Sequence, residues 1–521
     1  MADEIELKLT LPESVAGKRA TYTPAKIAAA FDLAQMRPAS NRHLQNTYFD
    51  SEDEWLRRQG MALRIRRAGR YRIQTLKAPT REVTGAQAYR EFESQIADDV
   101  PNLELVQDVD IQERCRDADL AARLQPAFTT DYRRATWEIA LENAVIEMAL
   151  DRGQIVVGDQ QLPIQEVELE LKQGDPAALF SFAEAAVGRL PFRLGHQSKA
   201  ARGYRLRAGQ VQGPVKSSGF DLSEDCDVSE AFQSIAGHCL AALHANEAAV
   251  IQNEDPEGIH QFRVALRRFR SIVRAYRDLM DDVVYLQLSD DLRWLQQQFG
   301  PPRDLDVFIA ETLTAIHARF PDQDGIAQLL DTAKTRCREA RHHAHTTLDQ
   351  PRYVEIQLRL YRWLASRSWQ RSSATASLST KASDFADRLL KKQHKKLIRR
   401  GSDGRIAESE LHELRVAGKK MRYLGDAFRS FYKARPYKEY SEALADIQDC
   451  LGVLNDAFVG QRILPGLLDD LRAAKKLDDT QIELARGIVI GWQASRIDGN
   501  LQQFHRIWKS FLKADHYWKK D

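Results

Sequence analysis

Polar and apolar residues alternate along much of the first 205 residues, and this period of two is typical of β-strands with one apolar face. The segment EIELKL (4–9) shows the pattern clearly, because its even positions are charged and its odd positions are apolar. The same alternation recurs in LRIRR (63–67), REFE (90–93) and EVELELK (166–172). We therefore predict antiparallel strands in this half of the chain.

The charges on these strands are sorted by sign, because some strands carry acidic residues at their polar positions and others carry basic residues. One interpretation is an open antiparallel sheet whose charged face is simply exposed to water, although such faces usually mix the two signs. The other interpretation is a closed barrel whose charged faces line a polar interior. In a barrel, the acidic strands would hold metal ions and the basic strands would hold an anionic substrate.

The second half of the chain has a helical pattern from about residue 225 onward, and it contains an internal repeat. The segment IHQFRVALRRFRS (259–271) matches LHELRVAGKKMRY (411–423) at an offset of 152 residues. The same offset carries Gly300 onto Gly452 and Asp304 onto Asp456. Two matches at one offset predict two similar helical bundles packed as one domain.

A segment rich in Gly, Ser and Pro, GQVQGPVKSSG (209–219), separates the two patterns and is the best candidate for a linker. We therefore predict a strand-rich domain at 1–205, a linker at 206–224 and a helical domain at 225–515. In fold class this is an α+β protein with an all-α second domain.

Basic residues follow one stripe on each repeat helix. The stripe comprises His260, Arg263, Arg267, Arg270, Arg274 and Arg277 in the first repeat, and His412, Arg415, Lys419 and Arg422 in the second. From 260 to 277 there are six Arg and no acidic residue, and like charges four residues apart destabilise a helix. The alternatives are a solvated basic face, a bound polyanion, or buried acidic partners, for which Asp304, Asp306 and Asp456 are candidates.

The overall composition excludes several classes of protein. Lys and Arg (76) nearly balance Asp and Glu (74), so only the local segregation of charge is informative. Five scattered Cys predict reduced thiols rather than disulfides or a zinc site. The acidic N-terminus does not resemble a signal peptide, and no apolar run approaches the ~20 residues of a membrane span. We expect a cytoplasmic protein with no membrane partner.

The first 205 residues resemble the CYTH superfamily, the triphosphate tunnel enzymes. EIELK (4–8) is similar to its ExExK signature, and the other matching segments, in order, are NTYFDS (46–51), LRIRR (63–67), TLKAP (75–79), REFE (90–93), EVELELK (166–172) and SKAARGY (198–204). This resemblance implies an eight-stranded antiparallel tunnel barrel that acts on triphosphate substrates with metal ions.

The resemblance and the charged faces together suggest a role for each charged residue. Hard ions such as Mg2+ or Mn2+ prefer carboxylate oxygens, so the expected metal ligands are Glu4, Glu6, Glu166, Glu168 and Glu170, with Glu91 and Glu93 as further candidates. The expected catalytic and phosphate-binding cations are Lys8, Arg64, Arg66, Lys77 and Lys199, with Arg133 or Arg134 joining them. Lys8 shares a face with Glu4 and Glu6, so it either contacts phosphate or tunes those carboxylates.

The helical half resembles the CHAD domain over about 225–515. The match rests on the two His-x-x-Arg helices, on GPPRDLDVF (300–308) and on LGVLND (451–456). It implies that the two basic stripes bind inorganic polyphosphate. The second motif has no Arg at the place of Arg303, so the two repeats need not contribute equally.

These observations predict an inorganic triphosphatase whose partners are triphosphate and long-chain inorganic polyphosphate. Adenylate cyclase or thiamine triphosphatase activity remains an alternative, because those substrates present the same triphosphate to the tunnel. A non-catalytic polyphosphate-binding or targeting protein is another. Nucleic-acid binding is disfavoured, because the basic helices lack obvious aromatic stacking patches.

Overall fold

The computed structural model describes residues 4–15, 18–69, 71–79, 87–210, 212–217, 219–252, 255–401, 408–475 and 477–518. The chain divides into two compact units, one formed by Met1–Gln212 with Leu348–Ser368 and the other by Gly213–Thr347 with Trp369–Asp521. The first contains the β-sheet and the second is helical. Within the described ranges, no helix combines the length and apolar character needed to cross a membrane.

The strands of the described chain are β1 (Glu4–Thr10), β2 (Ser14–Val15), β3 (Lys18–Arg19), β4 (Ser40–Asp50), β5 (Ala62–Ala68), β6 (Tyr71–Pro79), β7 (Gln87–Ile96), β8 (Gln125–Ala140), β9 (Ala144–Val157), β10 (Gln160–Gly174) and β11 (Arg193–Gly195). Nine of them follow the order β10-β9-β8-β4-β5-β6-β7-β1-β11, and β10 also pairs with β1. That last pairing closes eight strands into a barrel, while β11 only extends the edge of β1. The predicted eight-stranded antiparallel barrel is confirmed.

The α-helices of the described chain are α1 (Pro24–Ala30), α2 (Trp55–Arg58), α3 (Val109–Asp117), α4 (Leu120–Arg123), α5 (Ala177–Glu184), α6 (Lys199–Arg207), α7 (Val228–Ala245), α8 (Glu247–Gln252), α9 (Pro256–Ala275), α10 (Asp282–Gln298), α11 (Gly300–Phe308), α12 (Thr314–Arg319), α13 (Asp324–Thr347), α14 (Pro351–Ser366), α15 (Thr375–Leu378), α16 (Ala382–Gly401), α17 (Glu408–Phe428), α18 (Ala434–Ala474) and α19 (Asp479–Phe511). Helices α1 to α6 and α14 belong to the barrel unit.

The barrel buries both faces of its strands. On β1, Leu7 and Leu9 belong to the apolar core, whereas Glu6 and Lys8 line the interior cavity. Adjacent residues of a strand point to opposite faces, so an alternating sequence places one set under the surrounding helices and the other inside the barrel. Part of the outer layer is a cluster that includes Leu63 of β5 and Leu120 of α4. The alternating pattern therefore fixes the polarity of the interior.

Helix α14 packs on the barrel unit although the chain reaches it from the helical unit. The ring of Tyr361 stacks on Phe180 of α5, with centroids 5.7 Å apart. Arg362 pairs with Glu184 at 2.5 Å, and Arg193 pairs with Asp349 at 2.5 Å. The compact barrel unit thus includes a helix from a stretch that sequence patterns alone cannot separate from its helical neighbours.

The helical unit repeats its elements at the offset found in the sequence. Helix α9 is followed by a 3-10 turn at Arg277–Leu279 and by α10, and α17 is followed by a turn at Arg429–Phe431 and by α18. Helix α17, the second turn and α18 each begin 152 residues after α9, the first turn and α10, respectively. The repeats differ where α11 starts as a separate helix at Gly300, because Pro301 and Pro302 cannot continue a hydrogen-bonded helix. The equivalent residues, Val453 and Leu454, lie inside the unbroken α18.

Candidate active site

The barrel encloses a cavity of about 410 Å³ whose lining is dominated by charge. Its acidic lining residues are Glu6, Glu91, Glu93, Glu147, Glu168 and Glu170, and its basic ones are Arg57, Arg64, Arg66, Lys8, Lys77, Arg134, Lys172 and Lys199. Charges that would be exposed on an open sheet are here concentrated inside a closed barrel. The structure therefore agrees with the closed barrel and not with an open sheet whose charged face is exposed to water.

Three glutamates form a row across neighbouring strands, which we call the acidic row. Glu6 of β1 lies opposite Glu170 of β10, and Glu170 lies opposite Glu147 of β9. All three line the cavity. Like charges at directly opposite positions destabilise a sheet. Burial, reinforced by the charge of Glu168, raises the pKa of Glu6, and burial also raises the pKa of Glu170.

Behind the row lie three buried carboxylates, which we call the inner cluster: Asp151, Glu166 and Glu168. Their oxygens lie within 4.8 Å of one another, close enough to share one cation. The ammonium group of Lys199 is 2.7 Å from Asp151, 2.5 Å from Glu166 and 2.7 Å from Glu168. The inner cluster therefore already holds a cation supplied by the chain.

The surrounding cations keep the inner cluster ionised. Burial alone would raise the pKa of Glu168, but the charges of Lys199, Lys8 and Arg134 outweigh it and hold that pKa well below its usual range. Arg134 also binds Asp151 through two nitrogens, at 2.8 and 2.6 Å. An ion pair with excellent geometry and further hydrogen bonds is the arrangement in which buried charges are tolerated.

Among the described carboxylates, the inner cluster has the spacing of a cation site but is occupied by Lys199, whereas the three carboxylates of the acidic row do not all come within that 4.8 Å spacing. Carboxylate oxygens are the donors that Mg2+ and Mn2+ prefer. The row carries three carboxylates, and its ion pairs are with Lys8, 2.7 Å from Glu6, and Lys172, 2.6 Å from Glu170. A divalent ion at the row would require these carboxylates to move closer together, but it would not displace Lys199. The backbone of Glu4 lies in β1, but its side chain is outside the described residues.

The basic residues Arg64, Arg66 and Lys77 form the opposite lining, which we call the basic wall. Glu91 accepts contacts from Arg64 at 3.4 Å and from Lys77 at 2.8 Å. The nearby charge of Arg64 lowers the pKa of Arg66, and burial adds to this effect. An anion bound between the two guanidinium groups would relieve their mutual repulsion.

The structure places two adjacent arginines on opposite faces of β8, a difference that the sequence analysis left open. Arg134 lines the cavity, whereas Arg133 is exposed and does not line it. The reason is the strand period of two, which directs neighbouring side chains of β8 to opposite faces. Glu93 also lines the cavity, where it accepts a hydrogen bond from Thr75 at 3.0 Å.

Sequence reasoning missed Glu147, Asp151 and Arg202. Glu147 and Asp151 lie on the inward face of β9 in VIEMALD (145–151), an alternation like the one used for the other strands but interrupted by Ala149. Arg202 lies three residues after Lys199 on α6, hence on the same helix face, and pairs with Glu166. Applying the same alternation rule to β9 would have found the two acids.

In the helical unit, six basic residues form what we call the seam: His260, Arg263, Arg267, Arg303, Arg415 and Lys419. Burial, with the nearby charges of Arg415 and Arg267, lowers the pKa of Lys419 to about 6. Burial also lowers the pKa of Arg263 to about 10 and that of His260 to about 4. These shifts have the direction expected when basic groups are crowded into a partly desolvated place, where burial and mutual repulsion disfavour their protonated forms.

The seam has few acidic partners. Asp304 lies 3.5 Å from Arg263, and Asp456 acts on Arg415 and Lys419. Asp306, the third candidate partner, instead pairs with Arg341 and accepts a bond from Cys337 at 3.1 Å. His412 is exposed. The charge of Arg422 acts on Lys419 and contributes to the lowering of its pKa. Arg270 lies one turn beyond the seam and neighbours Arg293 and Arg274.

Comparison with known protein families gives one match for the barrel unit and one for the helical unit. Residues 2–204 match the CYTH domain and residues 234–465 match the CHAD domain. The chain therefore contains a CYTH domain followed by a CHAD domain, and both resemblances inferred from the sequence are confirmed.

Individual relatives match parts of the chain. An inorganic triphosphatase from Haemophilus influenzae is 32% identical over 220 residues, which is 40% of this chain and 56% of that protein. The CHAD domain from Ricinus communis is 30% identical, with a TM-score of 0.49, over 58% of this chain and 98% of its own. A proposed adenylyl cyclase from Hippeastrum with a dominant triphosphatase activity is 20% identical, with a TM-score of 0.28, over 40% and 96% of the two chains.

Proposed function

We propose that the barrel hydrolyses inorganic triphosphate to pyrophosphate and phosphate with the help of a divalent metal ion. The observation that carries this proposal is the pairing, in one enclosed cavity, of an acidic row with a basic wall. A triphosphate is a short, dense anion, so it needs cations around its oxygens and a positioned water. The partial match to an inorganic triphosphatase supports the same reaction.

The basic wall binds the substrate in this proposal. Arg64 and Arg66 contact phosphate oxygens through several N–H donors each, and Lys77 adds a point charge. Glu91 holds Arg64 and Lys77 in place before substrate arrives, which lowers the cost of ordering them. Because the side chains of Arg64 and Lys77 are only 13% and 21% exposed, these interactions act in a lower dielectric and are stronger than in water.

The acidic row of Glu6, Glu147 and Glu170 would hold the metal. A bound divalent ion supplies charge neutralisation for the phosphates and lowers the pKa of an attacking water. Lys8 and Lys199 act as positioning residues, because each binds carboxylates at short range and both are almost fully buried. The sequence left open whether Lys8 contacts phosphate or influences the neighbouring carboxylates. These short contacts with carboxylates favour the second role.

We also propose that the seam of the helical unit binds inorganic polyphosphate. The support is a set of partly buried basic groups on α9, α11 and α17 whose protonated forms repel one another and which face few acids among the described residues. A polyanion would remove that repulsion and release its own counterions, so binding would weaken steeply with salt.

One structural feature favours a second candidate, a substrate that carries an organic group beside its triphosphate. Tyr89 is half-buried at the cavity lining, and its ring lies 5.6 Å from the ammonium of Lys77. A nucleoside or thiazolium ring could stack on that tyrosine. ATP and thiamine triphosphate are therefore necessary comparison substrates.

The test is a panel of phosphate-release and product assays on the full chain. The substrates are inorganic triphosphate, pyrophosphate, ATP, thiamine triphosphate and long-chain polyphosphate, each with Mg2+, with Mn2+ and with a chelator. We expect triphosphate to be the fastest substrate and the chelator to stop the reaction. Conversion of ATP to a cyclic nucleotide, with negligible triphosphate hydrolysis, would contradict it in favour of the second candidate.

A further inference from the structure

Asn46 lies on β4, the strand between β5 and β8, and its side chain is buried. It shares a strand face with Tyr48, two residues further on, which lines the cavity. In the antiparallel register Asn46 lies opposite Arg66 of β5 on one side and opposite Thr130 of β8 on the other. One amide therefore lies between a residue of the basic wall and a buried hydroxyl.

The amide of Asn46 forms a hydrogen bond on each side. The Nε atom of Arg66 donates to Oδ1 of Asn46 at 3.1 Å, and Nδ2 of Asn46 donates to Oγ1 of Thr130 at 2.9 Å. A guanidinium group can only donate, so it requires the amide oxygen, and the amide nitrogen is left for the hydroxyl. Asn46 and Thr130 are each 1% exposed, so little water competes for these bonds. The two partners together fix which way the amide faces.

The bond to Asn46 leaves the two terminal nitrogens of Arg66 available. Within the described ranges, those nitrogens form no ion pair or hydrogen bond with another residue. Arg64, by contrast, lies 3.4 Å from the carboxylate of Glu91. Arg66 is therefore held by a neutral group, and its positive charge can meet phosphate oxygens through two parallel N–H donors.

The type of residue at position 46 matters, because an aspartate would have almost the same shape. Its carboxylate could accept from Arg66 and from the hydroxyl of Thr130. It would also offset the charge of Arg64, which, with burial next, lowers the pKa of Arg66. The asparagine orients Arg66 without offsetting that charge. A neutral amide thus suits the binding of an anion from solution better than the balancing of charge within the barrel.

We propose that Asn46, backed by Thr130, is a positioning residue that orients Arg66 for phosphate binding and leaves its charge available to the substrate. The inference rests on the proposed function for the identity of the anion, which is inorganic triphosphate. It assigns the pair to substrate affinity rather than to turnover, because Arg66 belongs to the basic wall and not to the acidic row. A merely structural role of the two buried bonds would instead affect stability.

The decisive variant is Asn46→Asp in the full-length protein. It keeps the shape of the side chain but gives Arg66 a carboxylate that competes with phosphate. Asn41→Asp makes the same chemical change at an exposed position of the same strand and is the matched control. The measurements are KM and kcat for triphosphate with Mg2+, calorimetric binding of triphosphate in a chelator, and thermal unfolding.

A second pair of variants keeps the test valid if Asn46→Asp fails to fold. Thr130→Val removes the oxygen that accepts from Asn46, and Thr130→Ser keeps it. Because Asn46 acts through Arg66, Thr130→Val should have no further effect on triphosphate affinity in an Arg66→Ala background. Such a double-mutant cycle measures the coupling of the two positions directly.

We expect Asn46→Asp to raise KM and to weaken triphosphate binding by about tenfold, as for the loss of a hydrogen bond to a charged group. The change in kcat should be smaller, because the lost contact acts mainly on binding, and the melting temperature should not fall. Thr130→Val should raise KM about threefold, as for the loss of a neutral hydrogen bond. Thr130→Ser and Asn41→Asp should behave as wild type.

Unchanged KM and affinity in Asn46→Asp, or an effect of Thr130→Val that persists without Arg66, would overturn the inference. Wild-type protein that binds triphosphate but does not hydrolyse it would reject the proposed reaction, and the binding titrations would still decide the role of Asn46. Wild-type protein that neither binds nor hydrolyses triphosphate would reject both.

Discussion

Glu170 of β10 lies directly opposite Glu6 of β1 in the antiparallel register, and both carboxylates face the barrel cavity. Two like charges at opposing positions repel each other, and burial adds to the cost by raising the pKa of each carboxyl. Glu147 extends the same row on the next strand. A divalent cation at this row would remove the repulsion, and the proposed metal site rests on this point.

The first prediction concerns Glu6→Gln. The substitution keeps the shape of the side chain but removes a metal-binding charge, so we expect metal-dependent phosphate release to fall by about 100-fold. Folding should be affected less than by a change at Glu168, because buried Lys8 loses Glu6 but keeps Glu166 and Glu168 as partners. Rates at saturating Mg2+ and thermal unfolding of the same samples would check this, with exposed Glu142→Gln as the matched control. Wild-type turnover in Glu6→Gln would exclude Glu6 from the metal site.

Glu168→Gln should behave differently, although the sequence places Glu168 in the same role as Glu6. Glu168 contacts Lys8, Lys199 and Arg134, so neutralising it leaves buried cations without their partner. Breaking a buried ion pair costs about 3–5 kcal/mol, so stability should fall together with activity. A chemical denaturation series would measure the loss. Full stability with selective loss of activity would instead make Glu168 a direct metal ligand.

The adjacent pair Arg133 and Arg134 offers a comparison within one strand. Arg134→Ala removes a guanidinium that binds buried Asp151 and should lower the free energy of unfolding by about 3–5 kcal/mol, with activity lost. Arg133→Ala changes an exposed side chain and should stay within about 0.5 kcal/mol of wild type. Denaturant midpoints for the two variants would decide. Equal effects at both positions would contradict the assignment of the two side chains to opposite faces of β8.

Lys419→Met should separate stability from polyphosphate binding. In the folded protein the pKa of Lys419 lies at about 6, below its ordinary 10.5, so the unfolded chain binds more protons between these values. Lys419 therefore destabilises the folded protein most at pH values below about 6. This destabilisation becomes smaller as the pH rises from about 6 towards 10.5. At neutral pH the methionine variant should melt several degrees higher and bind polyphosphate more weakly.

A calorimetric experiment tests the role of Lys419 by measuring proton uptake when the polyanion binds. A bound polyanion stabilises the protonated form of Lys419, so binding near neutral pH should take up protons. Titrations in buffers of different ionisation enthalpy would show this uptake, and Lys419→Met should lose part of it. Binding with no proton uptake in wild type would place the anion away from Lys419.

Tyr361→Ala tests whether α14 stabilises the barrel unit. Tyr361 stacks on Phe180 and is almost fully buried, so its truncation should cost about 3–5 kcal/mol. The effect should appear as easier proteolysis and unfolding of the barrel, although residue 361 lies far outside the CYTH match. Arg359→Ala, on the same helix, is the control. Destabilisation confined to the helical unit would contradict the grouping of α14 with the barrel.

The sequence predicted the faces of the strands but not how they pair. The alternation in EIELKL assigns Glu6 and Lys8 to one face by local geometry alone. The opposition of Glu6 and Glu170 depends on barrel closure between the first and last long strands, which is a non-local contact. The assignment of α14 to the barrel unit, and the different exposure of His260 and His412, depend on tertiary packing in the same way. The separate start of α11, by contrast, agrees with the adjacent pair Pro301 and Pro302, a local sequence feature, whereas α18 continues through the single Pro465.

The most direct test of the proposed activity is the product analysis of inorganic triphosphate by phosphorus NMR with the full-length protein. We expect equal amounts of phosphate and pyrophosphate with Mg2+ or Mn2+, no reaction with a chelator, and a strongly reduced rate in Glu6→Gln. Hydrolysis that continues at the same rate without a divalent ion, or triphosphate that stays intact at saturating metal, would contradict it.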